Sequence, residues 1–209
     1  MKRRFILLFF AFILCLSATD VFSQEFKGGA FLGLNLSQVD GDDMAGYNKI
    51  GANGGFFVNR MISRESALQA ELFYSMKGSS VKSTKNTSFQ REISSSYVDL
   101  SLYYKYFFTE QLAGKVGLTP SVLISHKETY MGNELNADNI PKFRKFTAQF
   151  SIGAEYFLTE NWFANLTFNY SIISLREGGA EFSGYNYMHF VFENGQFYNY
   201  LSFSLGYQF

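Results

Sequence analysis

Tyr200-Leu201-Ser202-Phe203-Ser204-Leu205-Gly206-Tyr207-Gln208-Phe209 closes the chain, and its alternation sets how the rest is read. In an extended chain successive side chains point to opposite faces. Leu201, Phe203, Leu205, Tyr207 and Phe209 then share one face, and Tyr200, Ser202, Ser204, Gly206 and Gln208 the other. Large apolar groups on one side and small or polar ones on the other fit a strand with lipid outside and a narrow polar interior.

The same pattern recurs seven times upstream. Gly28 to Leu36 places Ala30, Leu32, Leu34 and Leu36 opposite Gly29, Phe31, Gly33 and Asn35. Ile50 to Asn59 and Leu68 to Lys77 repeat it, the latter with Leu68, Ala70, Leu72, Tyr74 and Met76 outward. Val98 to Phe107, Leu112 to Ile124, Phe146 to Tyr156 and Trp162 to Ile172 complete the set. Pro120 lacks a backbone N–H, so a bulge or weakened pairing is expected beside it. Short turns at Arg60–Ser66, Thr109–Gln111 and Thr159–Asn161 alternate with four long connections. Spans of about ten residues match a tilted crossing of a bilayer, and short turns on one side with long loops on the other are the rhythm of a transmembrane barrel. The expected fold is all-β: an eight-stranded antiparallel up-and-down transmembrane β-barrel, whose last strand pairs with the first near Ala30 to Leu36. An even strand count puts both termini on the side of the short turns, expected to be periplasmic.

The 209-residue chain begins with Lys2, Arg3 and Arg4, an apolar run from Phe5 to Leu16, and smaller residues up to Ser23. This is the layout of a signal peptide over residues 1–23, leaving a single barrel domain over 24–209. Leu14 before Cys15 is too large for a lipobox, and Cys15, the only cysteine, leaves with the leader. The mature chain therefore has no thiol chemistry. It keeps 15 basic and 17 acidic residues, a net charge of −2 that gives no electrostatic case for nucleic acid. The 25 Phe and 14 Tyr favour strands.

Four stretches carry a family resemblance. Gly33-Leu34-Asn35-Leu36-Ser37, Glu71-Leu72-Phe73-Tyr74-Ser75-Met76-Lys77-Gly78, Tyr97-Val98-Asp99-Leu100 leading to Lys105-Tyr106-Phe107, and Leu205-Gly206-Tyr207-Gln208-Phe209 together resemble the PorT-like outer-membrane β-barrel family. Ser101 stands where that family often has proline. The resemblance implies a Gram-negative outer-membrane barrel and, through the founding member, a link to protein secretion. It also implies that Tyr207 and the terminal Phe209 act as the signal read by the barrel-assembly machinery during insertion.

Glu71 and Lys105 fall on inward faces of neighbouring strands and are expected to form a lumenal ion pair, extended by Asp99, Lys115 and Glu155. Buried charges must pair to be tolerated; a selectivity ring in a narrow pore is the alternative reading. The fourth long connection is aromatic. Asn194-Gly195 between strand-forming residues reads as the tip of a hairpin, so the last two strands are expected to project as a ribbon. Tyr185, Tyr187, Phe190, Phe192, Phe197 and Tyr198 on it would either pack as an aromatic girdle or dock a partner protein or lipid.

Two histidines, His126 and His189, form no ligand cluster, and no cofactor is expected. Ser125 and His126 are adjacent and so point to opposite faces, which excludes them as a catalytic dyad. Asp40, Asp42 and Asp43 lack the spacing of a calcium loop and read as a solvated acidic loop. The expected function is non-enzymatic, structural or accessory, exercised at the outer end in contact with outer-membrane lipid. A narrow small-solute pore comes next, and a lipid-modifying enzyme after it.

Overall fold

The computed structural model describes residues 26–42, 44, 46–81, 90–135, 141–176 and 195–209. The leader, Asp43, Tyr185, Tyr187, His189, Phe190, Phe192 and Asn194 lie outside them.

Among the described residues nine strands follow in order: β1 (Phe26–Asp40), β2 (Lys49–Met61), β3 (Ser66–Val81), β4 (Arg91–Phe107), β5 (Leu112–Tyr130), β6 (Asn133–Glu134), β7 (Phe146–Phe157), β8 (Trp162–Ser171) and β9 (Phe197–Gln208). The two-residue β6 folds back on the end of β5. The other eight form an antiparallel ring, closed where β4 meets β5 and where β1 meets β9. The β1–β9 seam runs from Gly29↔Gln208 through Ala30↔Tyr207 and Leu36↔Leu201 to Asp40↔Phe197. Every long strand thus has two neighbours. Closure is required in lipid, where each unpaired backbone group costs several kcal/mol.

Burial is inverted relative to a water-soluble protein. Leu32 is 72% exposed and Phe56 70%, while Lys77, Asp99, Lys105 and Glu155 are at or near 0%. Such a surface is stable only against hydrocarbon. Tyr104, Tyr106, Tyr156, Trp162 and Tyr207 are exposed near the short-turn end, as in the aromatic girdle of a membrane interface. Toward the other end the apolar belt stops at Ile50, Met76, Ile124 and Phe146, and β1, β3, β4 and β5 continue beyond it.

The three short turns share one design. Phe108 and Thr109 N–H groups donate to Leu112 O at 2.9 and 3.3 Å, and Thr109 Oγ1 accepts from the amides of Gln111 and Leu112. Leu158, Thr159, Asn161 and Trp162 repeat every one of these bonds. Ile62 and Ser63 likewise donate to Ser66 O, with Ser63 Oγ accepting from Glu65. A hydroxyl closing its own turn explains the recurrence of Thr and Ser at this position.

The weakened pairing expected beside Pro120 is present, and a bulge lies elsewhere on the same ladder. The β4–β5 ladder is interrupted opposite Pro120 with its register kept, whereas the register slips between Ser96 and Tyr97, which face Ser125 and Leu123. The extra residue is Ile124, and it turns the outer part of β5 so that His126 and Glu128 point inward. The hairpin expected between Tyr187–Phe192 and the last strand, with its tip at Asn194, lies outside the described residues, whereas the outer part of the last strand pairs with β1. Residues Phe197 to Tyr200 pair with Ser37 to Asp40 of β1, while the β8 ladder reaches only Tyr170↔Asn199. Gly41 (φ 85°) and Gly195 (φ 128°) meet where this pairing ends. A Cβ on Gly41 would strike the Gly195 carbonyl, so the apex needs glycine on both counts.

Candidate functional site: the filled lumen and the outer end

The inward side chains stack in layers. At the short-turn end a cup of 790 Å³ is lined by Lys27, Arg64, Glu110 and Glu160 among others. Its floor is aromatic: Phe163 lies 5.4 Å from Phe57 and 5.6 Å from Phe157, and Phe157 lies 6.1 Å from Phe107. Phe57 and Phe163 lie against Gly29 and Gly206, where any Cβ would overlap their rings.

Above the floor sits an ionic layer. Lys105 pairs with Glu155, and Lys115 bridges Glu71 at 3.1 Å and Glu155 at 3.2 Å. Gln69 donates to Glu71 at 2.7 Å and accepts from Lys105 at 2.9 Å. Lys115 Nζ also lies 4.2 Å from the centre of the Tyr103 ring. Two carboxylates face two ammonium groups, so the layer is neutral and each charge has a partner. Glu71 and Lys105 share this layer but reach each other through Gln69. Their strands are offset: Glu71 lies opposite Ser101 and Lys105 opposite Ala67.

Asp99 belongs elsewhere. Its Oδ2 accepts from Ser75 at 2.6 Å and from Lys77 at 2.9 Å. Lys77 Nζ lies 4.8 Å from the ring centres of both Tyr97 and Tyr200 and 5.9 Å from that of Tyr198, a cation held among three aromatic rings.

Between these groups runs a belt that crosses seven consecutive strands. Ser101 and Thr119 hydroxyls meet at 2.7 Å, and Thr119 and Ser151 at 3.1 Å. Ser151 donates to Asn169 at 2.7 Å, Asn169 to Ser202 at 3.3 Å, Ser202 to Asn35 at 2.8 Å, and Asn53 to Asn35 at 2.7 Å. Nothing in the spacing of these Ser, Thr and Asn residues singles them out from the rest of the inward face.

Beyond the apolar belt, the outer end centres on Arg176. It pairs with Glu128, donates from Nε to Gln196 Oε1 at 2.8 Å and from Nη1 to Pro141 O at 2.6 Å, and lies 4.2 Å over the Phe143 ring. Gln196 reaches Gly41 O at 3.4 Å. One guanidinium thereby ties three of the long connections to β5. Phe143 stacks on His126 at 3.7 Å. His126 Nε2 donates to Glu128 Oε1 at 3.1 Å, leaving Nδ1 to accept from Ser95 at 2.9 Å. Burial and the nearby Arg176 push His126 down to about 4, which keeps the ring neutral. Burial, helped by Arg91, also pulls Arg176 down to about 10. Asp42, only 3% exposed, accepts the Met44 amide at 2.8 Å, and burial pushes its carboxyl up to about 7.

This set includes a serine, a histidine and a carboxylate. Ser125 takes no part in it: it is exposed, and Ser95 is the residue facing His126. Ser95 is buried, the imidazole is covered by Phe143, and Glu128 also holds Arg176 and, at 3.6 Å, Arg91. The arrangement packs and anchors.

The docking expectation needs correction at two residues. Phe197 is 3% exposed and Tyr198 0%, so neither presents a surface. Tyr198 points into the lumen against Tyr97 at 5.7 Å, and Phe197 stacks on Tyr170 at 6.3 Å. The expectation for Tyr185, Tyr187, Phe190 and Phe192 falls outside the described residues. Asp40 and Asp42 are likewise buried, so the reading of that loop as solvated does not hold for them. Tyr207 packs edge-on to Trp162 at 5.1 Å, and Phe209, 76% exposed as a residue, donates its amide to Gly28 O at 3.0 Å.

Among solved structures, the chain is similar to Ail, the attachment invasion locus protein of Yersinia pestis, with a TM-score of 0.50 and 13% identity over 88% of this chain and 99% of that one. It is similar also to Neisserial surface protein A, with a TM-score of 0.47 and 12% identity over 88% of this chain and 97% of that one. At such identities the likeness concerns the fold. No curated protein sequence matches the chain. Residues 22–177 match the family described as the outer membrane protein beta-barrel domain; with the closed eight-stranded ring and its lipid-facing apolar belt, this makes the protein a member of that outer-membrane β-barrel family.

Proposed function

We propose that the protein is a closed, non-conducting and non-enzymatic outer-membrane barrel with an accessory role exercised at its outer end. The observation that carries this reading is the filled lumen. An aromatic floor, a neutral ionic layer, the belt and the Lys77 cluster succeed one another with their charges paired. A conducting pore needs sites that ions enter and leave, whereas these charges satisfy one another. Planar-bilayer recording tests it: the wild type is expected to give no stable conductance steps. Steps that vanish on changing Glu71 or Lys105 would establish a pore instead.

The finer placement of the chain among PorT-like barrels, and with it a link to protein secretion, is part of the same proposal and rests on the motifs around Glu71–Gly78 and Tyr97–Phe107. In this reading residues 1–23 are removed on export, the termini are periplasmic, and Tyr207 and Phe209 guide insertion. Docking is assigned to Tyr185, Tyr187, Phe190 and Phe192. Photo-crosslinking in intact cells from these four positions is expected to capture one outer-membrane protein, and capture of none removes the docking role.

A further inference from the structure

The lipid-facing wall carries a notch at the short-turn end. Val58, Ala70 and Leu102 lie side by side across β2, β3 and β4. Ala70 is flanked along β3 by Leu68 and Leu72, so a groove of 450 Å³ opens over its methyl group, with Phe26 and Tyr104 among its walls. Arg60 stands at the end of this groove, opposite Leu68 and one residue inside the end of β2. Its parity is that of Phe56 and Val58, so it points toward lipid. Its guanidinium carbon lies 5.8 Å over the Phe26 ring. Its Nε is buried and has no hydrogen-bond partner among the described residues. A cation on a hydrocarbon-facing wall is costly unless it meets a counter-charge at the interface.

We propose that this groove is a site for one anionic glycerophospholipid of the leaflet at the short-turn end, with an acyl chain along Ala70 and the phosphate on Arg60. The side chain's chemistry selects the occupant. A planar guanidinium matches phosphate oxygens, the notch is apolar and narrow, and Tyr104, whose hydroxyl is 2.8 Å from Ser66 Oγ, marks the interfacial depth. The site is independent of what the outer end binds.

The test is native mass spectrometry of the full barrel in neutral detergent, titrated with phosphatidylglycerol. Wild type is expected to retain one lipid. R60Q, which removes the charge, and A70F, which fills the notch, are each expected to weaken retention at least tenfold, and R60K to keep part of it. A148F, on the lipid face of β7, is the control and is expected to bind as wild type. Heat-modifiable gel migration confirms that each variant is folded. Unchanged retention in R60Q overturns the phosphate contact, and unchanged retention in A70F overturns the groove. Equal loss in A148F, or a dimer appearing in place of bound lipid, overturns the site.

Discussion

Glu155 in the mid-lumen and Asp42 at the outer end are both buried carboxylates, yet their surroundings differ. Glu155 touches two ammonium groups, from Lys105 and Lys115. Asp42 holds a backbone amide, and the cations that act on it, Arg91 and Arg176, form no ion pair with it among the described residues. The first charge is locked by partners of opposite sign. The second is tolerated by taking up a proton near neutrality. The lumen is thus built to stay as it is, whereas the outer end carries groups whose charge changes with pH.

The largest expected effect comes from breaking the locked region. Glu155→Leu leaves Lys105 buried without its carboxylate, while Lys115 keeps Glu71. It is expected to cost about 3–5 kcal/mol, read as a fall in the urea midpoint by Trp162 fluorescence. The double variant Glu155→Leu with Lys105→Met restores neutrality and is expected to return within about 1 kcal/mol of wild type. A double variant as unstable as the single one would show that packing, not charge, holds the layer.

Arg176→Gln should separate the two regions. The urea midpoint is expected to stay put while the Arg144 and Leu175 amides, bonded to Leu175 O and Gln196 O at 2.6 and 2.8 Å, lose protection against exchange. A charged hydrogen bond contributes about 1.5–3 kcal/mol, so the loss should exceed tenfold. Unchanged protection would mean that Arg176 does not latch the outer end.

Two groups at that end titrate in opposite senses. Asp42, raised from 3.8 to about 7, holds a proton in the folded state that the unfolded chain releases, so stability falls as pH rises through that window. His126, lowered from 6.5 to about 4, is neutral when folded, so its contribution is full above 6.5 and is lost as pH falls toward 4. Arg91, Arg176, Glu128 and Asp40 surround the pair. In the wild type the slopes offset each other. Asp42→Asn is expected to make Leu175 amide protection fall in acid, and His126→Gln to make it fall toward neutrality. Slopes of the same sign in the two variants would refute the assignment.

The smallest effect is expected at the opposite end. Thr159→Ala removes the hydroxyl that accepts two turn amides and should cost about 1 kcal/mol in the urea midpoint, with Leu175 protection unchanged. A change at Leu175 would show that the two ends are coupled.

Alternation made the eight spans, their outward faces and the three turns legible, because period two is a local property of the chain. Which inward groups meet is not local. A barrel's strands are tilted and staggered, so Lys105 of β4 finds Glu155 across β5, and Asp99 turns to Lys77 instead of joining Glu71. The inward orientation of His126 depends on the extra residue Ile124, which no apolar period reveals. Arg176 and Gln196 sit in connections without any period, so nothing marked them as anchors. Phe197 and Tyr198 read as exposed because aromatic residues near Asn-Gly resemble a free hairpin; pairing with Val39 and Asp40 buries them.

The hydrogen-bonded belt has a consequence for assembly. Asn35 and Asn53 come from the first two strands, and the segment from Ser101 to Ser202 comes from the last five. Among the described residues the two pieces of the belt join through Ser202 and Asn35, across the β1–β9 seam. A barrel whose ends have not met leaves those groups to water. The belt is therefore complete only once the first and last strands have met, so closing the ring and closing this network are one event.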